Sequence, residues 1–190
     1  MPRLRLILLL LAPLLCAAAP VSAPSPAAGA AASQPPPDPG TGPGPARGSV
    51  TGLPIPRFVS LRSDKVNFRA GPGFQYPVNW VYQREGLPVE IIGEFDVWRH
   101  VLAPDGGTGW VHEATIRARR GFYVTVPQAA LRSAPHPSAN IVAYFKHGVS
   151  GRLLRCQANG DYCKVATKFE TGYLARSDFW GAFPGETVKP

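Results

Sequence analysis

The sequence is short of most side chains on which catalysis depends. Its only methionine is Met1, and its 190 residues include three cysteines, four histidines and 12 acidic residues against 20 basic ones. His100, His112, His136 and His147 are dispersed, with neither paired histidines at helical spacing nor a Cys-x-x-Cys to hold a metal. A glycine-rich phosphate loop and a nucleophile elbow are both missing. These absences argue against an enzyme and against a cofactor or metal centre. Aromatic residues are absent before Phe58, and from Arg57 onward no stretch keeps apolar residues at helical spacing for three turns. The one long apolar run, Leu6 to Leu15, is about half the ~20 residues that a membrane-spanning helix needs.

That run follows Arg3 and Arg5 and precedes the small-residue stretch Cys16 to Ala32, which is the layout of a secretory signal peptide. Residues 1–30 are read as that signal, with cleavage after Ala30, because Ala19 and Ala23 are each followed by proline. Leu15 stands where lipoprotein processing of Cys16 would want a small residue. The expected location is therefore periplasmic or secreted, with no membrane span after cleavage. Residues 31–56 continue a segment in which 11 of the 22 prolines fall between Pro20 and Pro56. Such a composition cannot bury enough apolar surface to offset its ordering entropy, so a disordered tether is expected there. Removing the signal takes Arg3 and Arg5 from a net charge of +8 and leaves +6. A basic balance favours anionic partners. The charges are scattered, however, with Arg117, Arg119 and Arg120 the one tight group; an ordinary soluble surface reads the same way, and no nucleic-acid partner is expected.

From Arg57 the chain alternates short apolar runs with turn signals. Phe58–Leu61, Leu87–Phe95, Val97–Leu102, Thr108–His112, Gly121–Val126, Val149–Cys156 and Tyr162–Thr167 read as strands, with turns at Pro104 to Gly107 and at Asn159-Gly160. An internal repeat organises them. Asn67-Phe68-Arg69-Ala70-Gly71-Pro72 is echoed by Ala130-Leu131-Arg132-Ser133-Ala134-Pro135, and Gly109-Trp110-Val111 by Gly172-Tyr173-Leu174, both at an offset of 63 residues. The expected fold is all-β: a first small barrel over 57–120, a second over 121–183, and a tail over 184–190.

The run Asn67 to Gly73, the strand Gly109 to Val111 and Trp98 before the last hairpin resemble the bacterial Src-homology-3-like domain family. Gly86 to Ile91 and Glu94 to Asp96 extend the resemblance to its tandem-domain exported proteins in Gram-negative bacteria, mainly alphaproteobacteria. The second copy departs from it at Ala130, Ala134 and Tyr173. The resemblance implies an SH3-like barrel outside the cytoplasm that binds cell-wall peptidoglycan, most simply its peptides; a periplasmic protein partner is the alternative, and a cysteine-dependent wall hydrolase a third reading. It also places Phe74, Tyr76, Trp80 and Tyr82 in the loop region that lines the ligand groove of such barrels.

The remaining residues carry structural expectations. Gly71 and Gly73 around Pro72 form a corner in which glycine supplies uncommon φ values. Asn67 and Arg69 face outward from a strand whose Val66 and Phe68 face the core, and Arg69, repeated as Arg132, suits either a fold-supporting hydrogen bond or a ligand contact. Trp110 and Tyr173 are expected as large anchors of the two cores, and Trp98 as a structural residue. A two-residue Asn159-Gly160 turn would place Cys156 opposite Cys163 at a separation a disulfide tolerates, and an exported protein would keep that bond oxidised.

Overall fold

The structure, a computed structural model, describes residues 46–189. The signal peptide, its cleavage site, Cys16 and residues 31–45 of the expected tether lie outside the described residues. Strands β1 (Arg57–Leu61), β2 (Val66–Arg69), β3 (Val78–Tyr82), β4 (Pro88–Phe95), β5 (Trp98–Leu102), β6 (Thr108–His112) and β7 (Ile116–Arg117) form one antiparallel sheet, ordered β3-β2-β6-β5-β4-β1-β7. A second set follows: β8 (Gly121–Val124), β9 (Gln128–Arg132), β10 (Ile141–Lys146), β11 (Ser150–Cys156), β12 (Tyr162–Ala166), β13 (Thr171–Ala175) and β14 (Phe179–Trp180). Its order, β10-β9-β13-β12-β11-β8-β14, is that of the first sheet with seven added to every strand number. Each set carries one 3-10 turn before its last strand, at Glu113–Thr115 and Arg176–Asp178. The sequence repeat is thus a repeat of topology, and the all-β expectation of two small SH3-like domains holds. Among the described residues no helix is long and apolar enough to cross a membrane.

Alternation sets each core. In β2, Val66 and Phe68 are buried while Asn67 is exposed, and in β6 Gly109 and Val111 are buried. Phe68, Leu61, Val89, Val101 and Val111 fill the first core, and Phe122, Leu131, Val165 and Leu174 the second. Gly109 sits where β6 crosses under Phe68: a Cβ there would stand 2.7 Å from that of Phe68, and one at Gly172 would stand 2.8 Å from Leu131. The glycine before each aromatic in the repeat is therefore a packing requirement.

The same alternation corrects the expectation for Trp110 and Tyr173. With Gly109 and Val111 pointing inward, Trp110 must point outward; it and Tyr173 are partly exposed, opposite Arg69 and Arg132 respectively. Neither anchors a core. Trp98 is buried.

The end of the expected disordered tether and the tail are both built into the fold. Residues 46–56 fold back on themselves, bridging Arg47 to Pro54, and are held by Glu94. At the other end Val188 is buried in the second core and exchanges two 3.0 Å backbone hydrogen bonds with Cys156. The tail thereby extends the sheet beyond the hairpin that carries the disulfide. Composition missed both because each segment is held by one distant partner, which local statistics cannot register.

Cys156 and Cys163 are directly paired across β11 and β12 and form a disulfide, with Cα atoms 4.5 Å apart. The turn differs from expectation. Gly160 donates to the Gln157 carbonyl, so Ala158 and Asn159 occupy its centre, and neither Asn159 nor Gly160 has positive φ.

The two sheets pack against each other. The Phe58 ring lies 4.6 Å from both Trp180 and Phe183, with the Arg120 guanidinium 5.4 Å from its centre. Tyr123 of β8 packs on the first core, and Arg84 donates to the Gly148 carbonyl at 2.6 Å. Phe122, beside Tyr123, is wholly buried in the second core, where it stacks with Phe145.

Candidate functional site

Of the five residues expected to bind ligand, Phe74, Tyr76 and Trp80 are exposed at the first sheet's edge, Arg69 is bonded to their loop and Tyr82 lines a separate cavity, so they do not form one pocket. β3 is the terminal strand of its sheet, so one row of its backbone groups has no partner strand. Its burial pattern contains no fully buried residue. Phe74, Tyr76, Val78, Trp80 and Val81 are all exposed, Phe74 by 71% and Trp80 by 60%. Five large apolar side chains in eight consecutive residues far exceed the single scattered exposures normal on a soluble surface. Long apolar edges are also what natural sheets avoid unless something covers them.

Two groups frame this edge. At one end the exposed Phe74 ring lies 5.0 Å from the buried Trp98 ring, edge to face, and 5.8 Å from His112, near stacking, while Arg69 sits 5.5 Å from its centre. Arg69 Nη1 donates to the carbonyls of Phe74 (3.2 Å) and Tyr76 (2.8 Å), holding the loop between β2 and β3 in place. Arg132 does the same in the second set, donating to Ala139 at 2.9 Å, seven residues on as Tyr76 is from Arg69. The repeated arginine thus organises a loop in both copies.

Gly71 serves that loop through space, and neither it nor Gly73 through backbone angle, contrary to expectation. Neither has positive φ. A Cβ at Gly71 would come within 2.5 Å of the Tyr76 ring, and one at Gly73 would run into the Gln75 side chain. Pro72 lies between them, half-buried.

At the other end, Tyr82 leaves the edge and turns inward. Its ring lies 4.3 Å from Phe68, and its hydroxyl donates to Asp105 at 2.8 Å. Burial, reinforced by the hydrogen bond to the Asp105 carboxylate and by its charge, pushes the Tyr82 phenol well above its ordinary pKa. It lines a cavity of about 300 Å³ with Arg84, Leu87, Asp105, Tyr123 and Gly148, at the seam between the sheets. On the outer face His100 stacks on Trp110 at 4.9 Å, and burial holds its pKa below the ordinary histidine range.

The second copy lacks the aromatic edge. By strand register Ala143 occupies the position of Trp80, and Phe145, buried in the second core, that of Tyr82. The repeat offset puts Pro137 and Ala139 where the first copy has Phe74 and Tyr76. Tyr144, exposed on β10, corresponds to Val81 on the opposite face. The strand register and the 63-residue offset of the repeat agree on these correspondences.

Among the described residues no three His, Cys, Asp or Glu side chains gather as a metal site. The sulfurs of Cys156 and Cys163 are bonded to each other. No curated protein matches the chain. Two solved structures align with it: NlpC2 from Trichomonas vaginalis, at 13% identity over 67% of this chain with a TM-score of 0.30, and NlpC1 from the same organism, at 15% over 65% with 0.31. The chain spans just under half the length of each, 48% and 45%. Residues 62–118, which hold the exposed edge, the Phe74 cluster and Tyr82, match the family of the Bacterial SH3 domain.

Proposed function

We propose that this chain is a non-catalytic, exported binding protein whose first domain takes an extended peptide along the Phe74–Tyr82 edge. The observation that carries the reading is the run of exposed apolar side chains on and beside an unpaired edge strand. Such an edge offers main-chain hydrogen bonds to an added strand, with alternate side chains left to give specificity. Phe74, Tyr76 and Trp80 supply stacking surface, while Arg69 fixes the loop that presents them. The Bacterial SH3 match supports a binding role, and the Cys156–Cys163 disulfide is compatible with an oxidising compartment. Peptidoglycan stem peptide is the ligand that unites these features; a periplasmic protein offering an exposed strand is the second reading, and the bare strand edge favours it equally.

Co-sedimentation with isolated cell-wall sacculi tests the reading. The protein is expected to pellet, and Trp80→Ala to remain in the supernatant with an unchanged melting temperature. Wild-type protein left in the supernatant beside a pelleting wall binder would remove peptidoglycan as the ligand.

A further inference from the structure

The tight basic group at Arg117, Arg119 and Arg120 is not used by the peptide edge, and the fold gives it a shape that scattered charge would not have. The group forms the connection between the two sheets. There it lines a cleft of about 500 Å³ whose walls come from the first set at Glu85 and from the second at Arg152 and Lys168. A second cavity of about 370 Å³ shares Arg119, Arg120 and Arg152 with it and adds Lys189. Five cations thus face the first cleft against one carboxylate.

The pairing of these cations divides them into a fixed frame and a free set. Arg117 binds Glu85 at 2.9 Å, and Arg120 binds Glu186 at 2.6 Å. Both frame arginines are largely covered, and each keeps a buried Nε with no hydrogen-bond partner. The Arg119 carbonyl accepts from the buried Ser60 hydroxyl, which pins the backbone from which its side chain extends. Arg119, Arg152 and Lys168 have no carboxylate within ion-pair distance among the described residues.

We infer that this cleft binds a phosphate-bearing group, held chiefly by Arg119 and Arg152 with Lys168 beside them. Guanidinium forks match phosphate oxygens in pairs, and charge-assisted bonds of this kind are the strong ones. A cleft lined almost wholly by charge of one sign raises the local concentration of anions. Because its walls come from both sets, the cleft exists only while the two sheets are docked. The inference is independent of the peptide edge.

Calorimetric titration of the full chain with inorganic pyrophosphate at low ionic strength tests it. A saturable isotherm is expected. The double variant Arg119→Gln, Arg152→Gln should weaken binding at least tenfold, while Lys65→Gln, Lys146→Gln, which removes the same charge from exposed positions outside both cavities, should leave it within twofold. All four side chains are exposed, so thermal melts should coincide. Sedimentation with phosphatidylcholine vesicles, with and without phosphatidic acid, assigns the source: capture by the acidic vesicles identifies a lipid headgroup, and pyrophosphate binding without capture identifies a soluble phosphate. Absence of a saturable isotherm, or equal weakening in both double variants, would overturn the site in favour of general charge attraction.

Discussion

Gly71 and Tyr76 act as one unit, and the second copy shows why. There the same two positions are Ala134 and Ala139: where the ring is lost, the glycine is lost too. Gly71→Ala alone should cost about 1–3 kcal/mol, the usual penalty for overpacking, because its methyl group would meet the Tyr76 ring. Adding Tyr76→Ala should recover most of that loss in urea denaturation; two additive losses would show that backbone conformation is at fault. Glu94 is a second residue with a separable role. Burial alone would raise its pKa from 4.5, but the Thr51 amide and hydroxyl, Arg57 and the Val50 amide outweigh it and bring it to about 2. A depressed carboxylate pKa contributes stability that is complete above the unfolded value and lost as pH falls toward the folded one. Hydrogen exchange at Val50 and Thr51 should therefore accelerate between about pH 4.5 and pH 2 beyond its intrinsic pH dependence. Glu94→Gln should already exchange fast at pH 6.

Among the strands, those with continuous apolar runs were legible in the sequence and the edges were not. The runs around β1, β4, β5, β6, β8, β11 and β12 stand out because their residues are buried on a shared face. β3 and β10 carry apolar residues that remain exposed, so alternation against a core gives no signal there, and the two-residue β7 and β14 are below any periodicity. β2 was legible from Val66 and Phe68 alternating with Asn67 and Arg69, and again through the repeat. The disulfide pairing was legible because register fixes which residues face each other, although the turn that sets the register was not the one the Asn-Gly pair suggested. That bond closes a loop of sequence separation 7, short enough that its removal should cost only about 2 kcal/mol. Cys156→Ser, Cys163→Ser should lower the melting temperature, and reductant should have no further effect on that variant. Since Val188 bridges to Cys156, exchange at the Val188 amide should rise more than exchange at Leu131.

For the whole molecule, the two sheets share one topology but divide their surfaces. The candidate site was legible in its residue types and not in its arrangement: Phe74, Tyr76 and Trp80 lie on the exposed edge as a group, whereas Tyr82 belongs to the seam. The seam itself depends on Phe58 against Trp180 and Phe183, so Phe58→Ala should cost about 3 kcal/mol and loosen the second sheet along with the first in hydrogen exchange. Loss confined to the first sheet would mean that the two fold independently. Recognition by the first domain alone is the central claim, and amide chemical-shift mapping of the labelled chain titrated with soluble peptidoglycan stem peptide tests it most directly. The account predicts perturbations concentrated between Phe74 and Tyr82 and abolished by Trp80→Ala. Perturbations of equal size between Pro137 and Phe145, or none in either segment at saturating peptide, would contradict it.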